Sequence, residues 1–269
     1  MSRIAERFKR LKTEGRKGFI PFVTAGDPDL ETSRQVVLKL AELGADVIEL
    51  GVPFSDPMAD GPTIQRSSQR ALDNGVTLGD VLELARMARE NTDTPIILFS
   101  YLNPLMRHGF EFVVREAADA GIDGILVTDA VDEEAAEYSR MLDTLDLDLI
   151  SLIAPTTTDE RLERITGMSR GFLYAVSRAG VTGARTEMTA DAEQLVSRAR
   201  RFTDLPVAVG FGISTADQVA DVWRYADAAV VGSAIVSEIE KAQTGTAVNA
   251  VEGFVRSLLP EFAKSGVEL

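Results

Sequence analysis

Two carboxylates stand where proton chemistry is plausible, Glu49 inside the apolar run Asp46-Val47-Ile48-Glu49-Leu50-Gly51 and Asp60 near the end of the stretch Gly51-Val52-Pro53-Phe54-Ser55-Asp56-Pro57-Met58-Ala59-Asp60-Gly61-Pro62. A carboxyl among apolar neighbours loses hydration, so its charged form becomes costly. Its pKa then rises until it can deliver a proton as well as accept one. Strand alternation aligns Glu49 with Val47 and Gly51, and if that face points inward Glu49 lies in a barrel mouth. The competing reading is a glutamate paired with Arg or Lys outside the barrel. Asp60 sits in a loop stiffened by three prolines, which presents an acid without collapsing around it. It fits an acceptor for a substrate N–H, and the competing reading is an aspartate that closes its own turn.

A third chemistry is written in glycine. Ser177-Arg178-Ala179-Gly180-Val181-Thr182-Gly183-Ala184, Gly210-Phe211-Gly212-Ile213-Ser214 and Val231-Gly232-Ser233-Ala234 each follow an apolar run. Bare backbone N–H groups and a helix N-terminus after Ser233 suit a phosphate anion.

Residues of this kind need a scaffold that gathers strand ends. Short apolar runs recur along the chain, separated by amphipathic segments that fit helices. The candidate strands are Phe19–Ala25, Asp46–Gly51, Pro95–Tyr101, Gly124–Thr128, Asp148–Ala154, Phe172–Ser177, Val207–Gly212 and Ala228–Gly232. Runs such as Ile96-Ile97-Leu98-Phe99 are apolar on both faces, as parallel strands covered on both sides must be. Thr158-Asp159-Glu160 and Ser214-Thr215-Ala216-Asp217 precede apolar periodicity and are usable as N-caps. The pattern predicts an α/β protein, one (β/α)8 TIM barrel over residues 1–269, with an extra helix before the first strand and an inserted helix after the second. An open doubly wound sheet is the alternative. In the barrel, function sits at the carboxyl ends of the strands, where Glu49, Asp60 and the glycines fall.

Composition narrows the partners. With 28 Lys and Arg against 42 Asp and Glu, the net charge is −14, which excludes a basic nucleic-acid footprint. The chain has no cysteine and one histidine, so disulfides, thiolate nucleophiles and His-rich metal clusters are excluded and no metal is expected. The first seventeen residues lack the apolar core of a signal peptide, and no apolar stretch is long enough to span a bilayer. A cytoplasmic protein without membrane contact is expected.

The segment Glu49-Leu50-Gly51-Val52-Pro53-Phe54-Ser55-Asp56-Pro57-Met58-Ala59-Asp60-Gly61 resembles the signature of tryptophan synthase α subunits, and Pro62-Thr63-Ile64-Gln65 continues it. Pro21-Phe22-Val23-Thr24-Ala25-Gly26-Asp27-Pro28, Tyr101-Leu102-Asn103-Pro104, Ser177 to Gly183 and Val209-Gly210-Phe211-Gly212-Ile213 fit the same family in order. The resemblance implies a lyase that splits indole-3-glycerol phosphate into indole and glyceraldehyde 3-phosphate. It implies Glu49 as the general acid and base, and Asp60 as the group that holds the indole N–H proton. Tyr174 would lie near the substrate, Thr182 in a closing loop, and Phe22 and Leu50 in the apolar wall. Gly183, Gly212, Gly232 and Ser233 would hold phosphate. The chain would need no cofactor, with pyridoxal phosphate confined to a partner β subunit in an α2β2 heterotetramer.

The chain departs from the family after the fourth strand, where Val127-Thr128-Asp129-Ala130-Val131 lacks the family's proline following the aspartate. This bears on the detail of β-subunit docking and leaves Glu49 and Asp60 untouched. The residues themselves leave other readings open: a stand-alone lyase, another phosphate-binding barrel enzyme such as an isomerase, or a mainly regulatory subunit. His108 reads as a solvated loop residue, Trp223 as a packing residue, the run from Asp132 to Glu134 as a helix first turn, and Arg178 as a residue within reach of substrate or, equally, exposed or ion-paired.

Overall fold

The computed structural model describes residues 1–130, 132–176, 185–210 and 212–259. Eight parallel strands close in chain order: β1 (Gly18–Thr24), β2 (Ile48–Gly51), β3 (Ile96–Ser100), β4 (Gly124–Val127), β5 (Asp148–Ile153), β6 (Leu173–Val176), β7 (Val207–Gly210) and β8 (Ala228–Val231). Pairing of β8 with β1, Ile20 opposite Val230, completes the barrel and rules out the open sheet. The helices are α1 (Arg3–Glu14), α2 (Leu30–Glu42), α3 (Pro62–Asp73), α4 (Leu78–Arg89), α5 (Leu102–Arg107), α6 (Phe110–Asp119), α7 (Asp132–Asp143), α8 (Asp159–Met168), α9 (Arg185–Ala199), α10 (Ala216–Trp223), α11 (Ser233–Lys241) and α12 (Ala247–Leu258). The expected helix before β1 is α1, and the insertion after β2 is α3. The apolar runs overshoot several ladders by a residue or two; Asp46, for example, precedes β2 and accepts the Phe19 N–H at 2.9 Å.

Alternation divides the core into two layers. Ile20, Val47, Ile97, Leu126, Ile150, Phe172 and Ala208 fill the barrel, whereas Ile48, Leu50, Leu98 and Ile125 face the helices. Helix α1 inserts Ile4, Phe8 and Leu11 into the inner layer, with Phe8 and Phe172 ring centroids 5.6 Å apart. Ser2 caps α1 by accepting the Ala5 N–H and donates to Asp148 at 2.5 Å, while Arg3 reaches Asp123 at 2.8 Å. Asp123 and Asp148 stand at strand beginnings, so α1 plugs the amino-terminal end of the barrel. The expected caps form: Thr158 accepts the Arg161 N–H, and Thr215 makes a reciprocal capping box with Gln218.

Candidate active site

Glu49 occupies the middle of β2 with Phe22 and Ile97 as its lateral partners. Its neighbours Ile48 and Leu50 belong to the outer layer, which turns Glu49 into the barrel with Val47. The residue is 1% exposed, and its Oε1 finds no hydrogen-bond partner among the described residues. Burial alone raises its pKa to about 8. Among the described residues no cation acts on it, and its place on the inner face of β2 rules out the outward ion pair; with a pKa of about 8, Glu49 is mostly protonated at neutral pH.

Asp60 lies half-exposed at the end of the loop that follows β2. Main-chain groups close its turn, Asp60 N–H donating to Pro57 O at 3.1 Å, which frees the carboxylate from turn-making. The Tyr101 hydroxyl donates to Asp60 Oδ2 at 3.1 Å. Desolvation raises Asp60 to about 6, and this hydrogen bond opposes the rise. Two carboxyls with displaced and different pKa values at one barrel mouth can divide the roles of proton donor and acceptor.

Tyr174 stands on β6 between Leu152 and Ala208. Its ring rests on Gly210: an added Cβ there would lie 2.5 Å from Tyr174 Cε2. Desolvation, then the charges that Glu49 and Asp60 carry once ionised, hold its phenol well above the usual range and keep it neutral. Tyr174 thus shares one electrostatic neighbourhood with both acids. Phe22 meets Phe99 edge to face, centroids 5.2 Å apart at 75°, and lies against Gly51, where a Cβ would approach its Cζ to 2.5 Å. These two rings form an apolar wall beside Glu49.

Leu50 needs a correction. It is fully buried in the outer layer, on the opposite side of β2 from Glu49, and cannot line a cavity that Glu49 faces. The same alternation that turned Glu49 inward excludes it. Phe99 takes a place in the wall that the sequence reading missed; its alternation with Ile97 was the available signal. Tyr101 was missed as the partner of Asp60, and no local pattern marks that contact.

Gly232 precedes α11 with Ser233 exposed at the first helical position, and no side chain caps this end. Gly232 also packs near Phe22: a Cβ there would meet Phe22 Cβ at 3.4 Å. The N-terminus of α11 is therefore adjacent to the apolar wall. Gly212 is exposed with φ of +56°, a conformation suited to glycine. Thr182 and Gly183 lie outside the described residues, as do Arg178 and Phe211. Exposed His108 caps the C-terminus of α5, and Trp223 Nε1 donates to Gly18 O at 2.9 Å, a packing role. Among the described residues no cluster of three acidic or histidine side chains could hold a metal ion, and no helix is long and apolar enough to cross a membrane.

The family described as Tryptophan synthase alpha chain matches residues 8–259. The chain belongs to the tryptophan synthase alpha chain family. Among curated relatives, the Tryptophan synthase alpha chain of Citrifermentans bemidjiense is 50% identical over 96% of this chain and 97% of its own length. That of Caulobacter vibrioides is 53% identical over 89% and 88% respectively. The crystal structure of tryptophan synthase subunit alpha from Legionella pneumophila superposes with a TM-score of 0.90 at 36% identity, covering 98% of this chain and 99% of that one. In the loop after β4, Asp129 Oδ1 accepts the Leu102 N–H at 2.7 Å and ties that loop to the start of α5.

Proposed function

We propose that Glu49 and Asp60 are the acid–base pair of this chain, a carbon–carbon lyase of the tryptophan synthase alpha family that cleaves indole-3-glycerol phosphate to indole and glyceraldehyde 3-phosphate. Protonated Glu49 delivers its proton to the ring carbon that bears the glycerol side chain. Asp60, as carboxylate, holds the indole N–H and stabilises the charge that develops on the ring. As the carbon–carbon bond breaks, the Glu49 carboxylate takes the proton of the side-chain hydroxyl, leaving an aldehyde and restoring Glu49. The proton inventory closes without an electron carrier, so this half-reaction asks for no cofactor of its own.

Phe22, Phe99 and Tyr174 flank the indole, and the phosphate rests on Gly232, Ser233 and Gly212, with Thr182 and Gly183 as further contacts. The apolar wall excludes water and so strengthens both proton transfers. The single observation that carries this reading is Glu49 itself: a fully buried carboxyl, unpaired among the described residues, raised to about 8 by desolvation. A protein does not keep such a group for stability.

The family implies a tryptophan synthase β subunit as partner. An α2β2 heterotetramer, with pyridoxal phosphate in the β subunit and indole passed to it, extends the proposal, as does a cytoplasmic location. Exposed Met58 in the Asp60 loop and Met106 on α5 support a docking face beside the site. The test measures free indole released from indole-3-glycerol phosphate by wild type and Glu49→Gln, each with and without a β subunit. Turnover should fall about 10²- to 10⁴-fold in the variant, and wild-type release should rise with the partner. Release that is indifferent to Glu49 removes it from the mechanism.

A further inference from the structure

Helix α3 begins at Pro62, two residues after Asp60, and α11 begins at Ser233 beside the proposed phosphate site. The mechanism above uses neither helix beyond these ends, yet their bodies are joined by a charged network. Arg70 of α3 forks onto Asp27, Nε to Oδ1 at 2.8 Å and Nη2 to Oδ2 at 2.7 Å. Its remaining nitrogen, Nη1, donates to Glu240 Oε1 of α11 at 2.8 Å. Arg66, one turn earlier, forks onto the same Glu240 with two contacts of 2.7 Å.

Asp27 is 1% exposed and follows β1, the strand that carries Phe22. Asn74, just past α3, donates to Pro28 O at 2.6 Å, and the buried Thr24 and Ser67 hydroxyls meet at 2.6 Å. Helix α3 is therefore fastened to β1 along one side and to α11 by two arginines that share one carboxylate. A lone exposed ion pair contributes little. Two guanidinium forks that converge on a shared carboxylate and a buried one are geometrically specific, because each planar fork admits few orientations.

We propose that Arg70 and Glu240 are positioning residues that fix the span between Asp60 and the phosphate-holding end of α11, and so set the length of substrate whose two ends are gripped together. The inference rests on the reading of Asp60 and Ser233 given above. A substrate held by its phosphate reaches Asp60 correctly only if α3 and α11 keep their relative placement. An error near 1 Å in such a placement can lower turnover by as much as about a hundredfold. Phosphate binding itself, which needs only the end of α11 and its neighbouring glycines, does not depend on the link.

Glu240→Gln breaks the charged link while leaving the Arg70 fork on Asp27 intact, and Arg70→Lys keeps a cation beside buried Asp27 while losing the fork on Asp27 and the single contact to Glu240. The experiment measures indole release with a β subunit present, the dissociation constant for inorganic phosphate by calorimetry on the same preparations, and the melting temperature. Each variant should lose about tenfold in kcat, with phosphate affinity within about twofold of wild type, and the double variant should be no worse than the poorer single one. Unchanged kcat overturns the proposal. So does a kcat loss matched by an equal loss of phosphate affinity and a large fall in melting temperature, which marks a purely structural network. If wild type releases no indole, or Asp60→Asn matches wild type, the underlying reading of the site has failed instead.

Discussion

The Tyr101 hydroxyl donates to Asp60 Oδ2 at 3.1 Å while accepting the Ala59 N–H at 2.9 Å, so one phenol holds both the carboxylate and the backbone beside it. Tyr101 is itself 5% exposed and packs on Phe54, with ring centroids 5.2 Å apart. An acid on a surface loop is thereby anchored to the end of β3. Desolvation and the nearby Asp60 charge push the Tyr101 phenol above its ordinary range, which keeps it a neutral donor.

Tyr101→Phe should lower kcat/KM near neutral pH by roughly tenfold, the scale of one hydrogen bond to a charged group. The hydrogen bond lowers the Asp60 pKa, so its loss moves that pKa above about 6 and shifts the acidic limb of the rate profile to higher pH. A pH–rate profile of the variant checks both effects, and an unmoved acidic limb would show that Tyr101 does not tune Asp60.

Wild-type kcat/KM should follow a bell with limbs near 6 and 8, set by Asp60 losing its proton and Glu49 keeping it. Stability carries the same signature. The Glu49 pKa of about 8 in the folded chain exceeds the ordinary 4.5, so between these values the folded state retains a proton that the unfolded chain has released. Stability therefore falls as pH rises through this window. Glu49→Gln removes the penalty, and its melting temperature should exceed that of wild type by more at pH 8 than at pH 5; calorimetry at the two pH values decides the point.

Gly210→Ala should displace the Tyr174 ring, because the added Cβ falls 2.5 Å from Tyr174 Cε2. Overpacking of this kind costs about 1–3 kcal/mol. Since the displaced ring faces the site, KM for the phosphorylated substrate should rise more than stability accounts for. Steady-state kinetics beside a melting curve separate the two, and a loss confined to stability would place Tyr174 outside the substrate's reach.

Phe8→Ala acts at the other end of the barrel. Deleting a ring that packs on Phe172 in the α1 plug should cost about 3–5 kcal/mol of stability. Turnover per folded molecule should stay near that of wild type below the lowered melting temperature. A kcat loss under those conditions would mean that the plug shapes the mouth as well as closing the base.

Much of this was legible locally. Apolar runs marked the eight strands because each parallel strand is buried on both faces, and the long stretch after the second strand left room for the inserted helix, found as Pro62–Asp73. Period-two alternation put Glu49 on one face with Val47 and Gly51 and Leu50 on the other, but only the barrel showed which face points inward. Glycines at the strand ends were visible as turn chemistry, their part in holding phosphate being a proposal, and Thr182 and Gly183 fall outside the described residues.

The chain by itself determined which residues form strands and helices, and that an acid stands within an apolar strand, because burial patterns and caps are written within a few residues. It did not determine the pairing of Asp60 with Tyr101, or of Arg70 with Asp27 and Glu240. Their separations along the chain, 41, 43 and 170 residues, carry no local pattern. Closure of the barrel brings those side chains together, since a ring of eight strands places distant loops on one rim, and hydrogen-bond geometry then selects which of them meet.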